Sequence, residues 1–197
     1  ALTSIIIPAS VESIGASAFN NASALTSIII PASVESIGTN AFNGASSLTN
    51  ITVTQFNTHY KDISGVLFNT DGTTLFRYPV GNITRTTYSI PSIVTSIGEN
   101  AFQKAILTSI TIPSSVTSIG ASAFSNASKL GEVTFTGSTI PSSVTSIGEN
   151  AFQKAIFTSI IIPSSVTSIG ASAFSNATAL TSITIPSSVT SIGASAF

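Results

Sequence analysis

Apolar positions in this chain follow one template, L-x-S-I-x-I-P-x-x-V-x-x-I-G-x-x-A-F, which returns about every 23 residues, as at Leu2, Leu25, Leu107 and Leu180. A period of that length marks a solenoid, in which each unit is one coil that cannot bury its apolar face alone and stacks on its neighbours. In the unit from Leu107 to Lys129, Ile110 and Ile112 alternate with Thr111, the period-two pattern of a strand with one buried face. Pro113 ends that strand because it has no N–H to donate and fixes its own φ. Val116 and Ile119 point back inward, Gly120 permits a tight bend, and Ala121 to Asn126 is expected to make a short helical or 3₁₀ turn with Ala123 and Phe124 inside. Stacking then puts the Ile-x-Ile strands into one parallel sheet. It also puts Phe19, Phe42, Phe102, Phe124, Phe152, Phe174 and Phe197 into one column on the convex side of the core.

Because Pro, Gly and Ala-Phe recur in register over essentially the whole chain, the template resembles the BspA-like (Treponema pallidum type) leucine-rich repeat. That family comprises cell-surface and secreted adhesion proteins of bacteria and some protists. Its repeats often carry Cys three residues after the Phe, where this chain has Ala22, Ala45, Ala127 and Ala177. The resemblance implies a leucine-rich-repeat solenoid of the right-handed α/β superhelix class, mostly short parallel strands plus turns and short 3₁₀ or helical segments. It implies recognition through a concave sheet and the loops at its rim, and it supplies no catalytic residues. Residues 1–197 read as a single solenoid. The template runs to both ends with no atypical capping unit, so the chain is expected to be a fragment of a longer protein.

The repeat breaks between Val53 and Ser89, and an inserted coil bearing a hairpin is expected at about 54–86. Its middle, from Gly65 to Pro79, reads as two short strands around the Asp71-Gly72 turn. The segment holds the only histidine, His59, together with both arginines and both aspartates. A protruding hairpin carrying Tyr60, Arg77 and Tyr78 has the residue types enriched at binding hot spots. A smaller irregularity at Phe135–Thr139 reads as a bulged loop at the edge of the sheet.

Charge narrows the partners. Charged residues make up 7% of the chain, against roughly 25% in ordinary soluble domains, and the net charge is −1 with the basic residues scattered. No run of cations could neutralise phosphates, so neither nucleic acid nor an anionic membrane is expected as a partner. Apolar runs such as Ile5–Ile7 are too short to span a bilayer, so no membrane insertion is expected in this segment. There is no Cys, the one His has no nucleophile motif around it, and no metal-ligand spacing occurs, so neither cofactor nor metal is expected. Glu12 and Glu35 would sit about 5 Å apart, the spacing of a glycosidase pair, yet other coils carry Thr at that position, which marks it as tolerant surface.

The function expected is a non-catalytic cell-surface or extracellular adhesion module that recognises a protein or glycan. Candidate contacts are Tyr60, Arg77 and Tyr78 on the hairpin, with Thr111, Thr134 and Ile161 on the sheet. The sheet row Ile6, Ile29, Thr52, Thr111, Thr134, Ile161, Thr184 is half apolar, which suits a contact surface. A structural spacer without a ligand is the alternative. Ice or crystalline polysaccharide held on Thr/Ser arrays is a further one, and open coil faces suggest end-to-end self-association.

Overall fold

The structure is a computed structural model that describes residues 2–130, 132–135, 140 and 142–197, with the backbone alone for 132–135. Each regular coil carries two strands. The longer one contains the Ile-x-Ile sequence: Ser109–Ile112 pairs in parallel with Thr87–Ser89 on one side and Glu132–Phe135 on the other. Ile110 and Ile112 are buried while Thr111 between them is half-buried, as alternation requires. Among the described residues these strands form three ladders in place of the expected single sheet, the others being Ser27–Ile30 with Asn50–Val53 and Ser159–Ile161 with Ser182–Thr184.

The second strand was not expected. In the V-x-S-I-G segment, Ser96–Ile97, Ser118–Ile119, Ser146–Ile147, Ser168–Ile169 and Ser191–Ile192 pair in register from coil to coil. Two residues are too few to show an alternation, so the ladder is invisible to a pattern search within one repeat.

The expected helical or 3₁₀ turn is absent: among the described residues there is no helix, and the Ala-Phe segment is a chain of tight turns. Its backbone donors alternate. Ala123, Ser125 and Ala127 bond back to Gly120, Ser122 and Phe124, whereas Ser122, Phe124 and Asn126 bond out to Glu149, Ala151 and Gln153 of the next coil. Left-handed φ values at Ser122 (55°) and Asn126 (57°) enforce the alternation, because a left-handed residue cannot continue a right-handed helix. Asn and Ser at such positions bond locally and tolerate that region.

The glycine after each Ser-Ile also acts differently from the expected bend. Its φ is not positive; a Cβ built on Gly148 would lie 2.6 Å from the backbone of Gly120 and Ala121 in the preceding coil. Glycine here lets two coils approach to van der Waals distance.

The expected single Phe column forms as two stacks, Phe19 on Phe42 and Phe102 through Phe197, with Tyr78 in place of Phe42 against Phe102. Ring centroids are 5.2 Å apart for Phe102–Phe124, 5.4 Å for Phe124–Phe152 and 5.5 Å for Phe152–Phe174, with planes within 13° of parallel. Phe42, Phe102, Phe124, Phe152 and Phe174 are buried, Phe19 is half-buried and Phe197 is exposed. Hydroxyls hold the coils together as well. Ser33, Ser115, Ser165 and Ser188 donate to the carbonyls of Val11, Val94, Val144 and Val166 one coil back. Thr117, Thr167 and Thr190 do the same to Thr95, Thr145 and Thr167. The abundance of Ser and Thr therefore serves cohesion between coils, at about 1 kcal/mol for a typical net bond.

Candidate functional site

Two places differ from this regular frame. The first is the outward row of the longer strands. Register aligns Ile29 with Thr52, Ser89 with Thr111 and Thr134, and Ile161 with Thr184. Ile6, Ile29 and Ile161 are 92%, 55% and 57% exposed, although buried apolar positions flank both Ile29 and Ile161. Thr111 is half-buried, and the side chain of Thr134 lies outside the described residues.

The second place is the inserted segment. Tyr60–Ile63, Val66–Asn69 and Thr74–Arg77 form an antiparallel meander, and its last strand pairs in parallel with Ser96–Ile97, Leu75 opposite Ile97. Far from protruding, the meander is a wall between two apolar cores. Leu67 and Tyr60 belong to the core of the N-terminal coils, while Val66 and Phe68 belong to that of the C-terminal coils. The run Val66-Leu67-Phe68, buried on both faces, was the available sequence signal, since a strand covered on both sides loses its alternation. Its turn at Ser64 (φ 52°) and Gly65 (φ 80°) caps the preceding coil, where Ile51 N–H donates to the Gly65 carbonyl at 3.0 Å. The stack expected to run on through 54–86 is thus divided into two cores.

The three hairpin candidates are accordingly inside, and their expected projection is corrected. Tyr78 fills the Phe slot of its coil: its ring stacks on Phe102 at 5.3 Å, and its N–H donates to Ala101 as that of Phe102 does to Ala123. Burial pushes the Tyr78 phenol above its ordinary pKa, with the Arg85 guanidinium pulling the other way. Tyr88, whose ring lies 5.2 Å from that of Tyr78, is also raised, chiefly by burial. The Tyr60 hydroxyl accepts from the Ile37 N–H at 2.9 Å, closing the edge of the second ladder of the N-terminal coils. Asp62 is similarly structural, its Oδ1 accepting from Val53 N–H at 2.8 Å. Arg77 is 5% exposed; its Nη1 donates to the Asn100 carbonyl, and burial lowers its pKa to about 10. His59 stays at the surface beside the Thr58 hydroxyl, 3.1 Å away.

At this junction a seam opens. The chain runs from Leu75 to Tyr78 where the next coil runs from Ile97 to Phe102, two residues fewer, so the turn cannot reach back to the coil before it. Asn100 instead reaches past it, its Nδ2 donating to Asn40 Oδ1. Between them lies a cavity of about 180 Å³ lined in part by Asn40, Phe42, Leu67, Phe76, Arg77 and Glu99. Arg77 also lines a second cavity of about 150 Å³, with Gly44, Val80 and Lys104. Sequence reasoning missed this because it placed the insertion on the outside. Among the described residues no group of three or more His, Asp or Glu could hold a metal, and no helix is long and apolar enough to cross a membrane. The irregularity at Phe135–Thr139 lies outside the described side chains.

Stacked coils of parallel strands, a column of phenylalanines and glycine at each close approach define a leucine-rich-repeat β-solenoid. The BspA type leucine rich repeat region matches residues 1–71 and 75–197 in six copies, and the chain belongs to that family. Among solved structures it is similar to the pneumococcal vaccine antigen PcpA, with TM-score 0.81 and 26% identity over 93% of this chain and 46% of that one. It is also similar to a leucine rich cell surface protein from Faecalibacterium prausnitzii, with TM-score 0.79 and 34% identity over 95% of this chain and 52% of the other. The chain thus spans about half the length of each. No curated protein matches.

Proposed function

We propose that this chain is a non-catalytic binding module of a cell-surface or extracellular protein, and that it takes a protein or glycan partner on the outward row of its longer strands. The observation that supports this most is the exposure of Ile29 and Ile161 on the outward side of their strands, in register with Thr52 and Thr184 respectively, with Ile6 also exposed at the equivalent position of the repeat. Isolated surface apolar residues are ordinary, but large apolar side chains that recur at the same outward position of the repeat suit a contact surface. The similarity to a cell surface protein and to a vaccine antigen agrees with that location.

The Thr/Ser-array alternative is weakened by the columns of Thr117, Thr167 and Thr190, whose hydroxyl donors turn back to carbonyls of the preceding coil. The test is an array of glycans and extracellular-matrix proteins probed with the wild type and with Ile29→Ser, Thr111→Asp and Ile161→Ser. Retention that falls in the variants while the circular dichroism stays unchanged supports the row as the site. Binding that is equal in all variants removes it, and no binding to any feature favours the spacer.

A further inference from the structure

In the regular coils, alternate N–H groups of the Ala-Phe turn are taken up by the next coil. Ser17, Phe19 and Asn21 donate to Thr39, Ala41 and Asn43, and Asn100, Phe102 and Lys104 donate to Ala121, Ala123 and Ser125. The equivalent N–H groups of Asn40, Phe42 and Gly44 reach no acceptor among the described residues, because the shortened turn at Tyr78 does not come back to meet them. They border the seam.

The same seam holds a buried cation. Arg77 spends one nitrogen on the Asn100 carbonyl, its Nε has no partner, and among the described residues no acid pairs with it. An unpaired buried charge is destabilising, so a guanidinium persists in such a place most readily where something else completes it. A guanidinium with donors left over is a strong partner for a carboxylate.

We propose that the seam is a binding site for a small organic monocarboxylate, whose oxygens take the Arg77 guanidinium and the unmet N–H of Phe42, and whose apolar body lies against Phe42, Leu67 and Phe76. Size fits one six-membered ring: the cavity is about 180 Å³, and an apolar cavity of about 150 Å³ holds benzene. Glu99 also lines the cavity, its Oε1 accepting from Asn100 Nδ2 at 3.2 Å. That carboxylate repels any anion and a dianion about twice as strongly, which disfavours phosphate and dicarboxylates relative to a monoanion. Because the seam is lined by turn and wall residues and not by the exposed strand row, occupancy here is independent of adhesion.

The test is titration of the whole chain with sodium benzoate, followed by nuclear magnetic resonance, with benzamide and inorganic phosphate as parallel probes. Saturable shifts confined to Phe42, Leu67, Phe76 and their neighbours are expected, with affinity reduced by about tenfold or more in Arg77→Met, the factor set by loss of a charge-assisted hydrogen bond. If that variant does not fold, the wild-type shift map still decides. Absence of saturable shifts at the seam overturns the site. Benzamide binding as tightly as benzoate shows that charge is not read, and phosphate binding as tightly shows that a monocarboxylate is not selected; either result overturns the assignment.

Discussion

The coils on either side of the inserted wall are built from nearly the same words yet are joined differently. Downstream, each coil meets the next through a strand ladder, a stacked phenylalanine, alternate turn N–H groups and serine hydroxyls. Across the seam the ladders end, the ring stack stops at Phe42, and the contact from Asn100 skips the intervening turn. A repeat protein therefore owes its cohesion to repetition itself. Removing two residues from one turn unseats several kinds of bond at once.

The largest expected effect tests the ring column. Phe124→Ala, with a ring packed on both sides, is predicted to lose about 3–5 kcal/mol in urea denaturation, while Phe42→Ala loses less because one side of its ring borders the cavity. Equal losses would mean that the seam is packed as tightly as the stack. Next comes close approach. Gly148→Ala must push the Gly120–Ala121 backbone aside and is expected to cost about 1–3 kcal/mol. Gly15→Ala, with nothing within 4 Å of its added methyl, should change stability little. Ser165→Ala removes one hydroxyl bond to the Val144 carbonyl and is predicted to cost about 1 kcal/mol.

Hydrogen exchange sharpens the comparison without mutation. The amide of Phe42, with no acceptor, is expected to exchange faster than those of Phe19 and Phe124, which donate to Ala41 and Ala151. Equal protection at Phe42 would show that the seam closes in solution.

The smallest effect is a pH slope. Tyr88 has a folded-state pKa raised above 10, so its contribution to stability is fully present below pH 10 and is lost as the pH climbs. Tyr88→Phe should flatten the alkaline fall in unfolding free energy relative to wild type, whereas an unchanged slope would mean that the folded phenol ionises as readily as the unfolded one.

What the sequence made legible was whatever repeats and is long enough to show a period. Ile110 and Ile112 around Thr111, the prolines that follow, and the ring column from Phe102 to Phe174 all follow from the template. Features shared between coils stayed hidden, because no single repeat contains both halves of a bond such as Ser115 to Val94 or Phe124 to Ala151. The candidate site suffered most. Tyr60, Arg77 and Tyr78 looked like surface aromatics and a surface cation only because their segment breaks the template. Aligning Tyr78 with Phe102 and Leu75 with Ile97 would have placed them inside. Arg77 stands where regular coils have Ala101, Ala123 and Ala151, and a charged side chain in an alanine slot was the overlooked mark of the seam.

The hydroxyl and turn bonds described above each span a single step, from one coil to its immediate neighbour. A segment of one full period that is copied or dropped in register therefore carries its own connections with it and leaves matching surfaces on both sides. The identical stretches Ser96–Ile106 and Ser146–Ile156 are the kind of text on which unequal recombination acts. The number of turns can therefore change by whole periods without leaving an unmatched surface within the stack. The wall at Tyr60–Arg77 is the exception. Its contacts run from Ile37, whose N–H donates to the Tyr60 hydroxyl, to Asn100, whose carbonyl accepts from Arg77, so a coil added or dropped inside that span would separate both pairs.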